Sequence, residues 1–193
     1  MPSLNSYVIS SVAESEIEKS CALAHTKRLY MIRVTPLRDD LRGDFEKLFS
    51  DYYAELGCTD DTKHLVDEYV IPDLLAGLLS IDVLFAEGSF AGFIIYQKDD
   101  IDNEWNFKED WGDIREIYVA PPFRKKGYGR FLLYTAEMKL KESGVQKAYC
   151  LPYEDAVPFF SACGYVKTDE YCEEMDCPVF EKTNLDNTCK HGG

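Results

Sequence analysis

Basic residues are scarce in this sequence, with 21 Lys and Arg against 35 Asp and Glu among 193 residues, which gives a formal net charge of −14 at pH 7. Such an acidic chain repels polyanions, so the composition argues against nucleic acid and anionic membrane surfaces as partners. A cationic partner would be attracted by the same field, although the charge can also serve solubility alone.

Long apolar runs are also lacking, because no stretch approaches the ~20 residues that a membrane-spanning helix needs. The N-terminus has no basic segment followed by a long apolar one, so we expect no secretion signal and a cytoplasmic location. The 46% hydrophobic and 13% aromatic fractions are typical of a globular protein rather than a disordered one. A chain of this length is predicted to form one domain with a sizeable core.

Closely spaced cysteine pairs are absent as well. The seven cysteines are odd in number and scattered, which favours reduced thiols over a disulfide framework. A C-terminal cluster of potential zinc ligands lacks the CxxC spacing of a zinc knuckle, so no metal site is predicted. This cluster comprises Cys172, Cys177, Cys189 and His191.

Hydrophobic periodicity predicts a central domain over residues 29–183, preceded by an accessory segment (1–28) and followed by a short tail (184–193). Strands and helices interleave in the order βααβββαβαββ. Two hairpins are expected, so the predicted sheet is mixed. Local signals are Thr59 or Asp60 as a helix cap, Pro72 as a helix break or kink, a hairpin turn at Gly88-Ser89, Gly144 as a helix stop, and Asp155 as a cap.

The segment "RKKGYG" (124–129) concentrates positive charge between an apolar strand and an apolar-periodic helix. Glycines let a ligand approach the backbone closely. The first N–H groups of a helix are unpaired and carry partial positive charge, so they bind phosphate readily. The loop therefore indicates a pyrophosphate cradle, while a glycine turn with solvated cations remains the alternative.

Two common phosphate motifs do not fit this loop. A P-loop needs Gly-Lys-Ser/Thr, whereas Gly129 is followed by Arg130 and Phe131. A dinucleotide fingerprint needs a third glycine where Leu132 stands. Another nucleotide as ligand stays open as a third interpretation.

The context of the loop resembles the GNAT superfamily of acyl-CoA-dependent N-acetyltransferases, over about residues 29–183. The most specific match is the V-x-P-x-x-R-x-x-G-x-G pattern, which is formed by Val119, Pro121, Arg124, Gly127 and Gly129. A looser second match is formed by Ala156, Phe160, Gly164 and Tyr165.

This resemblance implies a single α/β (α+β) domain with the GNAT fold, in which helices flank a central mixed, mostly antiparallel sheet. It implies transfer of an acetyl group from the co-substrate acetyl-CoA to a primary amine of a small molecule or a peptide, by a monomer or homodimer. A non-catalytic acyl-CoA-binding or regulatory module is the alternative from another class.

By the same resemblance, one strand pairs with the pantetheine arm of the coenzyme and the loop amides hold its pyrophosphate. The acyl group is expected in a gap where the strands on either side of the loop and its helix splay apart. The candidate cofactor-binding residues are Ile117, Tyr118, Val119, Arg124, Lys125, Lys126, Gly127, Tyr128, Gly129, Arg130 and Phe160.

The candidate catalytic residues are Asp113 and Tyr153. Acyl transfer needs a neutral amine, so a base is useful, and Asp113 aligns with the position where many family members carry a glutamate base. Its alternative role is a loop-end carboxylate exposed to water. Strand alternation predicts that Glu116 faces the opposite side, with Ile114 and Tyr118.

The family's usual acid is missing, because Phe160 stands where a tyrosine often protonates the leaving thiolate. Tyr153 or Tyr165 is the expected substitute, unless the thiolate leaves unassisted, since thiols have a pKa of ~8.5. An acyl-cysteine route through Cys150 or Cys163 is disfavoured because no histidine lies nearby in sequence to activate a thiol.

The acceptor site is expected beside the acidic connection 98–113. Its carboxylates and its indoles, Trp105 and Trp111, could recognise a cationic amine through charge and cation–π contact. A solvated acidic loop whose indoles cover the core is the alternative. Possible pocket walls are Tyr52, Tyr53, Tyr69 and Leu75.

Overall fold

The computed structural model describes residues 32–58, 61–100 and 107–185. The predicted accessory segment 1–28 therefore lies outside the described residues, as do Thr59, Asp60, Trp105, Cys189 and His191. The division of the chain at 28 and 184 stays a prediction.

Within the described residues, seven strands form one sheet in the order β1-β2-β3-β4-β5-β7-β6. Only β4 and β5 run parallel, and every other neighbouring pair is antiparallel. The prediction of a mixed, mostly antiparallel sheet is confirmed. The strands are β1 Ile32–Pro36, β2 Ser80–Ala86, β3 Ser89–Lys98, β4 Gly112–Val119, β5 Ala148–Cys150, β6 Val166–Cys172 and β7 Cys177–Lys182.

Helices cover both faces of the sheet, which confirms the predicted layered α/β architecture. They are α1 Arg42–Glu55, α2 Thr62–Leu65, α3 Ile71–Ala76, α4 Tyr128–Glu142 and α5 Val157–Ala162. On one face, the core beneath α4 and α5 includes Leu132 and Phe160. On the other face, the core beneath α1 includes Phe45, Phe49 and Phe93, whose rings pack at centroid distances of 5.3–5.9 Å.

Several local predictions are confirmed and others are wrong by a residue or two. Gly144 ends α4 with φ +93°, as expected of a helix stop. The hairpin turn is Glu87-Gly88 rather than Gly88-Ser89, because both turn residues have positive φ and Ser89 already pairs with Ala86.

The helix-start predictions also need correction. The side chain of Asp61 accepts a hydrogen bond from the His64 amide at 3.2 Å, so Asp61 caps α2. Asp155 does not cap α5, because it lies within a 3₁₀ turn and Ala156 occupies the cap position. Pro72 does not end its helix, since the wider π turn Val66–Val70 precedes it and Pro72 lies in the first turn of α3.

A β-bulge in β4 changes which side chains share a face. Ile114 and Glu116 pair with the consecutive β3 residues Tyr96 and Ile95, so Arg115 is an extra residue on β4. A bulge of this kind breaks the simple alternation of side chains along a strand.

The bulge places Asp113 and Glu116 on the same face of the sheet. Asp113 lies opposite Gln97 and Glu116 lies opposite Ile95, and Gln97 and Ile95 share a face because they are two residues apart. Ile114 packs instead in the core beneath α4. The prediction that Glu116 faces away from Asp113, on the side of Ile114, is therefore wrong.

The strands β4 and β5 separate soon after they meet. They pair only at Gly112 with Ala148 and at Asp113 with Tyr149. Beyond Asp113 the two strands diverge, and a cleft opens between them. This confirms the predicted gap between the strands on either side of α4.

Candidate active site

The cleft between β4 and β5 has a volume of about 670 Å³. It brings together both predicted catalytic residues, Asp113 and Tyr153, with the predicted cofactor contacts Ile117 and Phe160. The positively charged loop 124–130 is not among its walls. The structure thus divides the predicted site residues between a cleft and a separate loop at the start of α4.

The loop is shaped by left-handed backbone at two positions. Gly127 has φ +85° and stands at the N-terminal cap of α4, and Lys125 has φ +60°. A residue other than glycine is strained at such a φ. This turn leads directly into the first turn of α4, where helix amides lack partners within the helix and favour an anion.

Gly129 serves a different purpose from Gly127. A Cβ at Gly129 would lie 3.3 Å from the Phe159 ring, which is closer than side chains normally pack, and at an ordinary contact distance of 3.8 Å from Val119. Its glycine therefore permits close packing of α4 against α5 and β4. A Cβ at Gly127 would meet nothing within 4 Å, so only its backbone conformation requires glycine.

Carboxylates already hold two of the loop's cations. Arg124 donates to Glu55 at 2.6 Å and to the Val119 carbonyl at 2.7 Å. Lys126 pairs with Glu87 at 2.8 Å. These pairs are largely exposed, so they position the cations without strong stabilisation.

The strand that precedes the loop offers its backbone to a ligand. The Tyr118 side chain is buried beneath α1 and donates to Glu55 at 2.5 Å. Ile117 and Val119 pack against the core beneath α4. Since β5 pairs with β4 only at Gly112 and Asp113, β5 leaves the backbone edge of 117–119 available for pairing with an extended ligand.

Glu55 links α1 to this loop, so its removal tests whether the loop holds the phosphates of the predicted co-substrate. If it does, Glu55→Gln should bind acetyl-CoA more tightly, because Arg124 becomes available to phosphate. The gain is at most about fivefold, since an exposed pair contributes about 0–1 kcal/mol. Titration calorimetry at low ionic strength measures it, with Asp51→Asn as control because Asp51 pairs with Lys47 on the same helix. Weaker binding by Glu55→Gln would contradict this competition.

Asp113 is a buried strand residue with a strongly perturbed acidity. Its exposure is 9%, so the alternative of a loop-end carboxylate in water is wrong. Burial, followed by repulsion from Asp99, raises the pKa of Asp113 to about 8, against the opposing effect of Arg115. A carboxyl group with this proton affinity suits a general base near neutral pH.

Glu116 is a site residue that strand alternation failed to identify. Its carboxylate is held by the hydroxyl groups of Tyr52 and Tyr53 on α1, the second at 3.4 Å. Burial raises the pKa of Glu116, which lines the same cleft as Asp113. The adjacent tyrosines on α1 were the available signal, because they place two donors above β4.

The aromatic residues around the leaving-group position have separate roles. Phe160 is 4% exposed and packs between Phe159 and Tyr165 at centroid distances of 5.1 and 5.4 Å. Tyr165 is 2% exposed and is not a wall of the cleft, so it is a poor acid for the reaction. Tyr153 is 55% exposed at the cleft. Its pKa is raised, chiefly by partial burial and then by Glu116.

The thiols near the site are suited to packing rather than to catalysis. Cys150 and Cys163 are each 1% exposed. Burial raises the pKa of Cys150, with a further contribution from Asp113. A raised thiol pKa disfavours the nucleophilic thiolate, which supports the expectation against an acyl-cysteine route.

Part of the acidic connection 98–113 is engaged within the protein itself. Lys108 and Lys147 lie over the Trp111 ring at 5.0 and 4.8 Å. Asp99 is fully buried, and Asp110 pairs with Lys98 at 2.7 Å. Asp113, at the end of the connection, lines the cleft, so acceptor recognition beside this connection stays a prediction.

Negative charge instead lines the cleft itself. Its acidic walls are Asp113, Glu116, Asp155, Glu173 and Glu174, and Arg115 is the one basic wall residue of those described. Glu173 and Glu174 come from the tip of the β6–β7 hairpin, which sequence reasoning did not assign to the site. The arrangement favours a cationic ligand.

The described ranges contain neither a metal-binding cluster nor a membrane-spanning helix. Within residues 32–58, 61–100 and 107–185, no group of three His, Cys, Asp or Glu side chains is placed to hold a metal ion. No helix in those ranges is long and apolar enough to cross a membrane.

Comparison with known proteins gives one family. Residues 35–165 match the model of the acetyltransferase (GNAT) family. An acetyltransferase of the GNAT family from Staphylococcus aureus Mu50 is similar in structure, with a TM-score of 0.64 and 15% identity over 80% of this chain and 99% of that one. The PaiA N-acetyltransferase from Thermoplasma acidophilum, in complex with coenzyme A, is also similar in structure. Its TM-score is 0.60, with 15% identity over 79% of this chain and 98% of that one.

A third similar structure is the ribosomal-protein-S18-alanine N-acetyltransferase from Escherichia coli. It has a TM-score of 0.55 and 15% identity over 78% of this chain and 91% of that one. At these identities the structural likeness shows a common fold, while the sequence match over 35–165 shows the family.

Proposed function

This chain belongs to the GNAT family of acetyltransferases, and from that premise we propose that it transfers an acetyl group from acetyl-CoA to a primary amine of a small molecule or a peptide. Membership itself supports acyl transfer from an acyl-CoA. The acetyl group and the amine acceptor are the added steps of the proposal. A cytoplasmic location and a monomeric or homodimeric state stay predictions.

The observation that carries the proposal is the joint placement of a phosphate-type loop and an acidic cleft on the two sides of β4. The loop has a left-handed Gly127 at the cap of α4 and a cationic Arg124. The open edge of 117–119 lies between this loop and the cleft. A phosphate-bearing extended donor suits the loop and strand, and a cationic acceptor suits the cleft.

The proposed chemistry begins with an ammonium group in the cleft. The carboxylate of Asp113 accepts one proton from it, and the freed nitrogen lone pair attacks the thioester carbonyl carbon. The C–S bond breaks as the amide forms, the amide nitrogen gives up its second proton to water, and the coenzyme leaves as a thiolate. Tyr153 is the proposed donor of a proton to that thiolate, because its raised pKa keeps the phenol protonated at neutral pH.

The role of Phe160 favours a second candidate, a non-catalytic acyl-CoA-binding module. Its side chain cannot donate a proton, and it occupies the position of the family's frequent tyrosine acid. The buried Asp113 and the half-exposed Tyr153 in one cleft support catalysis over this alternative, since a binding module needs neither.

A release assay for the coenzyme thiol tests the proposal. The full chain is incubated with acetyl-CoA and a panel of amines that includes spermidine, an aminoglycoside and peptides with a free N-terminus. We expect at least one amine to raise thiol release above the rate without amine, with the acetylated product identified by mass spectrometry. Coenzyme binding without turnover on any amine would favour the binding module.

The donor assignment has its own test in thermal denaturation. Acetyl-CoA should raise the melting temperature, because a ligand that binds only the native state stabilises it. ATP and NAD serve as matched probes that also carry a pyrophosphate. A shift with ATP or NAD and none with acetyl-CoA would refute the assignment of the loop to coenzyme A.

A further inference from the structure

Asp99, the residue after β3, is a fully buried carboxylate with four protein donors. Its exposure is 0%. One oxygen accepts from the Gln97 side chain at 2.9 Å. The other accepts from the amides of Phe107 and Lys108 at 3.0 and 2.9 Å and from the Tyr149 hydroxyl at 2.7 Å. In all four of these contacts the Asp99 carboxylate is the acceptor.

Tyr149 lies between this carboxylate and the candidate base. It is the β5 residue directly opposite Asp113, and its side chain is 1% exposed. A phenol carries a single proton, and the 2.7 Å contact gives that proton to Asp99. The phenol cannot give the same proton to Asp113, so the contact with Asp99 limits the hydrogen bond that Tyr149 offers to Asp113.

We propose that Asp99 is a positioning residue for Asp113: it takes the single hydroxyl proton of Tyr149, which limits donation from Tyr149 to Asp113, and its nearby carboxylate opposes a second negative charge on Asp113. The proposal assigns Asp99 and Tyr149 a role in setting the protonation state of Asp113. Its significance for catalysis rests on the proposed function.

The charged and titratable groups around Asp113 support this assignment. Arg115 on β4 and, more weakly, a hydrogen bond from Tyr149 favour the ionised form, whereas Asp99 and Glu116 oppose it. Cys150 and Tyr149 face it from β5. After burial itself, Asp99 makes the largest contribution to the raised pKa of Asp113.

Arg115 is drawn into the same network through a glutamine. Its guanidinium donates to the Gln97 side-chain oxygen at 3.1 Å, and the Gln97 amide group donates to Asp99 at 2.9 Å. The geometry thus directs the arginine partly toward Gln97 and the Asp99 network. This leaves repulsion and burial as the dominant influences on Asp113.

Asp99 also connects Asp113 with a wall of the cleft through its hydrogen bonds. Asp99 holds the amides of Phe107 and Lys108, and the Phe107 ring packs on Tyr149 at 5.6 Å. Phe107 and Tyr149 both line the cleft. A disturbance of Asp99 is therefore expected to affect the protonation of Asp113 together with the packing of this wall.

The causal test is the variant Asp99→Asn in the full chain. Carbon-13 NMR of aspartate carboxyl groups follows the titration of Asp113, whose signal is assigned with Asp113→Asn. We expect Asp99→Asn to lower the Asp113 midpoint by about one pH unit or more, because a neighbouring negative charge is removed. Asp100→Asn is the matched control, since Asp100 is the adjacent exposed carboxylate and its removal should leave the midpoint unchanged.

A measurement on the unmodified protein covers the case in which Asp99→Asn does not fold. The Asp113 carboxyl signal should change with pH without a matching change in the Asp99 carboxyl signal. An Asp99 signal that moves together with Asp113 would mean a shared proton and would overturn the proposal. An unchanged Asp113 midpoint in a folded Asp99→Asn variant would overturn it as well.

These NMR readouts do not need turnover, so the proposal and the proposed function can fail separately. If the protein transfers acetyl groups, the rising limb of kcat/KM with pH should move to lower pH in Asp99→Asn and not in Asp100→Asn. A purely structural role of Asp99 would lower activity without moving this limb. A shifted NMR midpoint in a protein without acetyl transfer would support the proposal and contradict only the function.

Discussion

Gly127→Asp is expected to weaken acetyl-CoA binding by at least about 30-fold. The substitution places a negative charge at the cap of α4, where the backbone turns with φ +85° and the proposed pyrophosphate would lie. Repulsion between unit charges about 5 Å apart amounts to about 1–3 kcal/mol for an effective dielectric constant of about 20–80, and a pyrophosphate carries two charges. Since ~1.4 kcal/mol changes Kd tenfold, the summed loss reaches the stated factor.

Gly127→Asn is the matched control for this experiment. Asparagine has nearly the same shape as aspartate and adopts positive φ more readily than most residues, but it carries no charge. We expect it to bind acetyl-CoA more tightly than Gly127→Asp, with both Kd values measured by titration calorimetry. The two variants should fold alike, because a Cβ at Gly127 meets no atom within 4 Å.

Gly129→Asp gives a second, independent test of the loop. Its Cβ would lie 3.3 Å from Phe159, so both α4 packing and the local charge change. Equal coenzyme affinity of folded Gly127→Asp and the unmodified protein would refute the loop assignment, whatever the result at Gly129.

The loop and its helix could be predicted from the sequence because their signals are local. Glycine spacing, the cations from Arg124 onward and the apolar period of α4 all lie within one continuous segment. The helix begins at Tyr128, directly after the predicted loop. The order of helices and strands along the chain could also be predicted, since each strand was recognisable by its own composition.

The cleft was less predictable because its geometry depends on long-range contacts. The bulge at Arg115 arises from the register between β3 and β4, which alternation within one strand cannot reveal. It moves Glu116 to the face of Asp113. Because Asp99 lies in the acidic connection 98–113, the sequence suggested a role in recognition of the acceptor. Its burial depends on donors up to fifty residues away, including Tyr149.

Asp113→Asn is expected to lower kcat/KM by about 10²- to 10⁴-fold, the usual contribution of a general base. In the unmodified protein the base acts when ionised, so kcat/KM should rise with pH through about 8, the raised pKa of Asp113. In the variant, kcat/KM should no longer rise through this pH range. The remaining rise of kcat/KM should be the one caused by deprotonation of the amine itself. Steady-state kinetics from about pH 6 to about pH 10 cover this range. They measure the pH dependence of kcat/KM in the unmodified protein and in the variant.

Asp155→Asn is the matched control, because Asp155 is an exposed carboxylate in the wall of the same cleft. It removes the same charge from the acceptor's surroundings and should raise KM for a cationic amine while the pH limb stays in place. A limb that persists unchanged in Asp113→Asn would exclude Asp113 as the base.

The stability of Asp113→Asn gives the same pKa a readout without substrate. Unfolded Asp titrates near ~3.9 and native Asp113 near about 8, so the native state binds the extra proton between these values. Stability of the unmodified protein then falls by at most about 1.4 kcal/mol per pH unit across that window. Asparagine does not titrate, so the melting temperature of Asp113→Asn relative to the unmodified protein should rise from pH ~4 to ~8 and then level off. A constant difference in melting temperature would contradict the raised pKa, even if the kinetic result favoured Asp113 as the base.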